Sequence, residues 1–287
     1  MVIDREKEIM VRVTNWRCIE DVELELAKLN IFIGKNSTGK SSLAYAIYLA
    51  SKSRTADPRS LVSQLYGCDF NFVARLVESN PQFPISVKIN DSEFLVKGAE
   101  ETIRLPNSPW TDEFLLPSRR IAYIQLATTL PWVIKETNEA VPLPPSLSLF
   151  ILDYTRALIG KMHITSASDG VADLSIFFSM TQGVPEKSLV VIEELEIHKN
   201  PISIIEFTKD IVEVTKNKKI TTIMTTHSDV PLTTMAKLVK DKKLSADDVR
   251  IYYFKRDPWT KLSSIKLFDD GTLESLPDTE EVITRLF

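Results

Sequence analysis

The octapeptide Gly34-Lys35-Asn36-Ser37-Thr38-Gly39-Lys40-Ser41 decides the fold of this chain. It fits the pattern GxxxxGK followed by Ser or Thr, the Walker A or P-loop motif, in which consecutive backbone N–H groups face phosphate oxygens. Residues 29–33 before it predict a short buried strand, and residues 42–50 after it predict a helix. Because the motif requires a strand, a loop and a helix in this order, we predict a nucleotide phosphate site here.

The residue types of the loop suit phosphate and magnesium. Gly34 and Gly39 allow the loop to turn and phosphate to approach the backbone, while the following helix N-terminus adds the positive end of its dipole. Lys40 is predicted to reach the β- and γ-phosphates, and the Ser41 hydroxyl to ligate Mg²⁺. The predicted cofactor-binding residues of this segment are Gly34, Lys35, Asn36, Ser37, Thr38, Gly39, Lys40, Ser41 and Ser42.

Two acidic residues follow a buried apolar strand that we predict at residues 188–192. A carboxylate beside a core must be paired or bound to a cation, so Glu193 and Glu194 are unfavourable there without a function. In a phosphate-binding loop protein the first acid of such a pair holds the Mg²⁺ shell, and the second orients or deprotonates the attacking water. We therefore assign Glu193 to the metal and Glu194 to catalysis. The plain alternative is a pair of acids that begins a solvated loop.

A histidine follows the next predicted strand, residues 220–224. His227 is one of three histidines in the chain, and a histidine at this sheet edge can donate to a γ-phosphate. An isolated histidine is more often a structural residue, but the threonine and serine beside it and the acids on the neighbouring strand favour a catalytic role.

Strands and helices alternate through the carboxy-terminal half, which predicts a mostly parallel sheet covered on both faces. Two strands at 9–14 and 22–26 precede the P-loop and predict a small amino-terminal sheet. Residues from about 58 to 150 hold ten of the fifteen prolines and a predicted hairpin at 85–96, so we interpret them as an insertion.

Composition excludes several classes of protein. The 287 residues contain only 8 glycines and carry 35 basic against 39 acidic side chains, which argues against collagen-like, disordered and broadly DNA-binding or membrane-binding chains. Two cysteines are too few for a disulfide scaffold. The charged N-terminus lacks the apolar core of a signal peptide, and we expect a cytoplasmic protein with no membrane partner.

The three motifs in this order resemble the ABC ATPase superfamily, in its SMC, RecF and OLD-like branch. Asn36 in GKNSTGKSS and the leading segment 13–19 are typical of that branch. The segment 192–201, IEELEIHKNP, is similar to its extended Walker B form DEPExxLHP, and THSDVPL at 226–232 is similar to its switch-histidine loop.

The resemblance implies an α/β P-loop NTPase of the ABC ATPase head type. Its central sheet would be mostly parallel, with an amino-terminal antiparallel β subdomain and an inserted helical lobe. The expected organisation is one domain over 1–287, with a nucleotide-binding core at 1–57 and 183–287 and an inserted lobe at about 58–182. ATP and Mg²⁺ would be the ligands, and ATP would join two copies into a homodimer.

The resemblance also supplies candidates that the residues alone do not. The segment 165–171 resembles the SDG form of the ABC signature, in which Ser168 and Gly170 would bind the γ-phosphate held by the other subunit. Gln125, after a predicted strand at 120–124, is the candidate for the glutamine that senses Mg²⁺ and water. Glu193 departs from the family's usual aspartate while the catalytic position, Glu194, is kept, so we expect slow hydrolysis. The stretch between Walker A and the signature, residues 42–164, is too short for the coiled-coil arm of SMC proteins.

The process that ATP turnover drives stays open at this point. The branch implies a DNA-linked role in repair or anti-phage defence, but the sequence adds only two lysine clusters, at 216–219 and 237–243, and such clusters are often solvated helix ends. A second interpretation is a regulatory ATP switch that docks a separate effector protein through the proline-rich segment. A transporter ATPase subunit is disfavoured by the SDG signature and the Thr-His-Ser loop.

Overall fold

A computed structural model describes residues 8–98, 101–118, 177 and 183–277 of the chain. Three of the predicted site residues, Gln125, Ser168 and Gly170, lie outside these ranges. The sequence also predicts a helix at 143–160, behind Pro144 and Pro145, and a short helix at the end of the chain, and both lie outside these ranges.

A six-stranded sheet forms the centre of the fold, in the order β13-β12-β3-β11-β10-β9. Its five strands from β9 to β12 are mutually parallel, and β13 pairs antiparallel with β12 at one edge. The strands are β3 (Leu29–Gly34), β9 (Glu113–Leu116), β10 (Leu189–Ile192), β11 (Thr221–Thr226), β12 (Val249–Arg256) and β13 (Thr260–Ile265). This confirms the predicted mostly parallel α/β sheet.

Three helices follow strands of this sheet: α1 (Lys40–Lys52) after β3, α4 (Pro201–Lys218) after β10 and α5 (Val230–Lys240) after β11. Helix α4 begins with a proline at its first turn, and the side chain of Asn200 accepts a hydrogen bond from Ser203 N, which satisfies an N–H that the helix leaves free. Because α4 and α5 each run from the end of one parallel strand to the start of the next, their N-termini lie at the edge where the strands end.

A second, antiparallel sheet lies beside the first, in the order β2-β1-β6-β7-β8. Its strands are β1 (Ile9–Trp16), β2 (Ile19–Leu26), β6 (Ile85–Ile89), β7 (Ser92–Val96) and β8 (Thr102–Ile103). Between α1 and β6 along the chain lie α2 (Pro58–Tyr66), α3 (Phe70–Val73) and the paired strands β4 (Arg75–Val77) and β5 (Asn80–Gln82).

The segment after residue 58 differs from the insertion that the sequence suggests. The predicted hairpin at 85–96 is present, but β6 pairs with β1 and so completes the amino-terminal sheet. Strand β9 pairs with β10 in the central sheet. The physical reason is that strand pairing depends on main-chain register between distant segments, which proline content along the chain does not reveal.

The central sheet is covered on both faces by hydrophobic clusters. Along β3, Leu29, Ile31 and Ile33 belong to the cluster that α4 and α5 cover, while Phe32 belongs to the cluster shared with α1 and the amino-terminal sheet. All six residues of β3 and all six of β11 are buried. The polar residues that follow β3, β10 and β11 therefore meet at one edge of a rigid sheet.

None of the helices in the described residues is long and apolar enough to cross a membrane.

Candidate nucleotide site

The phosphate loop, residues 35–39, connects β3 to α1 as predicted. Lys40 is the first residue of α1 and is 4% exposed, so its ammonium lies inside the loop. Its Nζ donates hydrogen bonds to the carbonyl oxygens of Gly34 and Lys35, each at 2.8 Å. The lysine thus occupies the centre of the loop, where it can exchange backbone carbonyls for phosphate oxygens.

The two motif glycines are required by the hairpin of β12 and β13. Gly34 has φ 149° and Gly39 has φ 106°, both in the region that favours glycine. A Cβ at Gly34 would collide with the carbonyl oxygen of Phe254, and one at Gly39 with the hydroxyl of Thr260. Thr260 in turn donates to Thr38 O at 2.8 Å. The loop is therefore held from behind by the hairpin, a constraint that the motif pattern does not express.

The charge of Lys40 is balanced by acidic neighbours. Burial lowers the pKa of Lys40 to about 8, while the carboxylates of Glu196 and Glu194 act in the opposite direction. The two carboxylates therefore help to keep the ammonium protonated, and a protonated ammonium attracts an anionic ligand such as a nucleotide phosphate.

Glu193 lies directly after β10, next to Ser41. Its Oε2 accepts hydrogen bonds from Tyr45 Oη at 2.5 Å, from Ser118 N at 3.0 Å and from Ser118 Oγ at 2.9 Å. Burial alone would raise the pKa of Glu193, but the hydrogen bonds from Ser41, Tyr45 and Ser118 outweigh it and lower the pKa. The carboxylate is therefore charged at neutral pH, as a metal ligand must be.

Glu194 and His227 face each other across the ends of β10 and β11. Nε2 of His227 lies 3.7 Å from Oε1 of Glu194, and the two side chains are 30% and 35% exposed. Nδ1 of His227 lies 3.2 Å from Lys40 Nζ and 2.9 Å from Gly34 O. When Nδ1 accepts from Lys40, a neutral ring carries its proton on Nε2, the atom that points to Glu194.

Glu196 is a site residue that the sequence reasoning did not identify. Its two carboxylate oxygens accept from His227 N at 2.6 Å and from Thr226 Oγ1 at 2.7 Å. The backbone N–H of Glu194 donates to Thr225 Oγ1 at 2.9 Å, so the acids and the end of β11 are connected by three hydrogen bonds. The sequence signal that could have identified Glu196 is its position two residues after Glu194, in the same acidic segment that follows β10.

The other predicted loop residues divide between the surface and the interior. Lys35, Asn36 and Ser37 are exposed, with Ser37 in the left-handed region at φ 61°. Thr38 is buried and donates to Lys35 O at 2.8 Å. Ser42 is also buried and lies beside Cys18, with 3.9 Å between Oγ and Sγ, and it lines the cavity at the loop.

A cavity of about 1020 Å³ opens at the loop and is lined by residues of the P-loop, α1, α2 and the ends of β9, β10 and β11. Arg17 and Tyr66 form part of its wall, with the guanidinium carbon 4.8 Å from the ring centroid. The two residues before Arg17 do not line the cavity: Trp16 is fully buried, and Asn15 donates to Pro84 O.

Comparison with known proteins agrees with this geometry. A model of the AAA ATPase domain family matches residues 9–114, from β1 through the P-loop to the start of β9. The search of curated proteins gave no match.

The described fold is also similar to solved SMC heads. The SMC head domain from Thermotoga maritima has a TM-score of 0.53 at 10% identity, over 91% of this chain and 100% of that one. An SMC head with an extended coiled coil bound to the C-terminal domain of ScpA, derived from Pyrococcus furiosus, has a TM-score of 0.54 at 11% identity, over 96% and 98%. An SMC head bound to the C-winged helix domain of ScpA has a TM-score of 0.52 at 14% identity, over 91% and 99%. The chain therefore has the fold of an ABC-type P-loop ATPase, in the form that SMC heads take.

Proposed function

We propose that this chain binds ATP with Mg²⁺ and hydrolyses it slowly to ADP and phosphate. The observation that carries the proposal is the convergence of Lys40, Glu193, Glu194 and His227 on one cavity edge, from α1 and from the ends of β10 and β11. A lysine in a loop of N–H groups binds the phosphates, and a carboxylate and an imidazole beside it serve the attacking water.

Each side chain has a separate task in this mechanism. Lys40 gives up its hydrogen bonds to Gly34 O and Lys35 O and donates to the β- and γ-phosphates. Glu194 accepts a proton from the attacking water and orients it. His227 donates to a γ-phosphate oxygen through Nε2–H, and Glu196 keeps its backbone in place.

The residues around Ser41 fit a magnesium ion. A serine hydroxyl and a charged carboxylate hydrogen-bonded to it are the oxygen ligands that Mg²⁺ prefers alongside phosphate and water. When bound, Mg²⁺ neutralises charge on the β- and γ-phosphate oxygens. Ser41 and Glu193 would hold it, and we propose Gln125 as the further residue that senses it.

We also propose that ATP joins two copies of the chain. Glu194 and His227 are each about one-third exposed, whereas hydrolysis of a phosphoanhydride proceeds best where bulk water is excluded. Ser168 and Gly170 of a second copy would cover this edge and bind the γ-phosphate. Dimerisation and ATP binding would then be one linked equilibrium.

The variant Glu194→Gln tests hydrolysis and dimerisation separately. It should retain ATP binding, lose turnover, and elute as a dimer with Mg-ATP but as a monomer with ADP, measured by size exclusion with light scattering. The control Lys40→Ala should bind no nucleotide and stay monomeric. If Glu194→Gln binds Mg-ATP and remains a monomer, the two-copy proposal is wrong, and if it hydrolyses ATP normally, Glu194 is not the catalytic base.

For the process that turnover drives, we propose a DNA-linked role, in repair or anti-phage defence. Two lysine clusters that are separate in sequence meet in space, since Lys216 Nζ donates to Lys243 O at 2.6 Å. Lys216, Lys242 and Lys243 are all exposed. The alternative is a regulatory switch that controls a partner protein, and two of the similar SMC heads are bound to a domain of ScpA.

A further inference from the structure

We propose that Tyr45 and Ser118 are positioning residues that fix the carboxylate of Glu193 for the metal ion. The inference rests on the proposed function and deepens it, because it explains how a glutamate serves at a position where the ABC family uses aspartate.

The contacts on Glu193 are concentrated on one oxygen. Oε2 receives Tyr45 Oη at 2.5 Å together with the amide and the hydroxyl of Ser118 at 3.0 and 2.9 Å. Three donors exceed the two lone pairs of a carboxylate oxygen, so Oε2 has no capacity left for another ligand. The free capacity of the carboxylate lies on Oε1.

The donors come from parts of the fold that are themselves fixed. Tyr45 lies on α1, four residues after Ser41, so both point from the same face of the helix. Its ring contacts the ring of Tyr66 edge to face, with 5.9 Å between centroids, and is 8% exposed. Ser118 follows β9, which pairs with β10 in the central sheet.

The arrangement answers a specific problem of side-chain length. Glutamate has one more rotatable bond than aspartate, and each free rotamer lowers the fraction of time that the carboxylate faces the metal. Tethering Oε2 from α1 and from the end of β9 removes that freedom. The proposed metal ligand on α1, Ser41, is also a hydrogen-bond partner of the Glu193 carboxylate.

The test compares nucleotide affinity with and without the metal. Tyr45→Phe and Ser118→Ala, singly and together, are titrated with a fluorescent, non-hydrolysable ATP analogue in excess Mg²⁺ and in EDTA. Removing partners that orient a metal ligand typically weakens metal binding 10–100-fold. We expect the gain in affinity that Mg²⁺ provides to fall about tenfold in the double variant. Affinity in EDTA should stay within about twofold, because Lys40 and the loop are unchanged.

Tyr48→Phe is the matched control. Tyr48 lies one turn further along α1 and is also buried, but the carboxylates nearest to it are Glu113 and Asp112. The Tyr48→Phe variant loses the same kind of hydroxyl, but this hydroxyl is not one of the donors to Glu193 Oε2. The gain in nucleotide affinity that Mg²⁺ provides should therefore equal that of the wild type. Equal losses in Tyr48→Phe and Tyr45→Phe would overturn the inference, because packing on α1 would then account for both.

Glu193→Asp separates positioning from general damage. In this background the shorter side chain cannot reach the same donors, so adding Tyr45→Phe should cause no further loss. An equal loss in both backgrounds would show that Tyr45 acts elsewhere and would overturn the inference. A wild-type chain that binds no nucleotide would instead overturn the proposed function, and the inference with it.

Discussion

Lys40 shows at the scale of one residue how the phosphate loop is kept in shape. Its ammonium bonds two carbonyls of the loop, and it is buried beside Glu194 and Glu196. The ammonium that a phosphate would bind is therefore already hydrogen-bonded to backbone carbonyls of the loop. Nucleotide binding replaces hydrogen bonds instead of adding them, and its net gain depends on how well phosphate competes with backbone carbonyls.

The depressed pKa of Lys40 makes the affinity for nucleotide depend on pH. Below about 8 the ammonium is charged and attracts phosphate, whereas above it the unliganded protein loses the proton that binding requires. We expect affinity for a non-hydrolysable ATP analogue to be flat from pH 6.5 to 7.5 and to fall by up to about tenfold per unit above 8.

Fluorescence titration between pH 6.5 and 9.5 measures this dependence. Lys40→Arg is the control, because a guanidinium stays charged over the whole range, and its affinity should be weaker but independent of pH. A wild-type profile that is also flat to pH 9.5 would show that the proton on Lys40 does not limit binding.

At the scale of elements, the hairpin of β12 and β13 shapes the phosphate loop. Thr260 contacts Gly39 and bonds Thr38 O, while its own N–H donates to Cys18 O at 2.9 Å. The loop, the hairpin and the turn between β1 and β2 are thus joined at one residue. A nucleotide meets a loop whose conformation is already set, which lowers the entropy lost on binding.

Gly34→Ala should disrupt this contact. The side chain would meet Phe254 O in a backbone conformation that alanine avoids, so we expect a loss of about 2–3 kcal/mol in the free energy of unfolding. Gly67→Ala is the matched control, since Gly67 has φ 68° but no atom within 4 Å of the added carbon. It should lose about 1 kcal/mol from backbone strain alone. Urea denaturation measures both, and similar losses would mean that β12 leaves room at Gly34.

The sequence predicts elements whose signal is local. The P-loop, the alternating strand β2 and helix α5 could be found from spacing, periodicity and terminal residues. Strand β9 could not be predicted, because it is only four residues long and lies in a segment bounded by Pro109 and Pro117. Its place in the sheet comes from its pairing with β10. The hydrogen bonds from Tyr45 and Ser118 to Glu193 could not be predicted for the same reason, because Ser118 reaches Glu193 only through the pairing of β9 with β10.

At the scale of the whole molecule, the lysine clusters lie away from the candidate nucleotide site. Helices α4 and α5 begin at the edge where the parallel strands end, so their C-termini, with Lys216 and the segment 240–243, lie at the opposite edge. Lysines there stabilise the negative ends of the helix dipoles, which is their structural role. Lys237 is paired with Asp241 at 3.4 Å.

A DNA-linked function makes this edge the surface to test. Lys242→Glu with Lys243→Glu should weaken binding to duplex DNA and reduce the slope of log affinity against log salt concentration by about 2, one unit per lost phosphate contact. Fluorescence anisotropy between 50 and 200 mM salt measures it. The control is Lys88→Glu on β6, in the other sheet. DNA binding that is absent, or unaffected by these lysines, would favour the partner-protein alternative.

The pairing of β1 with β6 has a consequence for the order in which the chain folds. Val13 pairs with Val87, and the phosphate loop and helices α1 to α3 lie between them along the chain. A contact across so many residues forms only after its long loop is closed, so it arises late and slowly. During synthesis, the hydrophobic face of β1 and β2 must therefore wait for some seventy later residues to leave the ribosome before its own sheet can be completed.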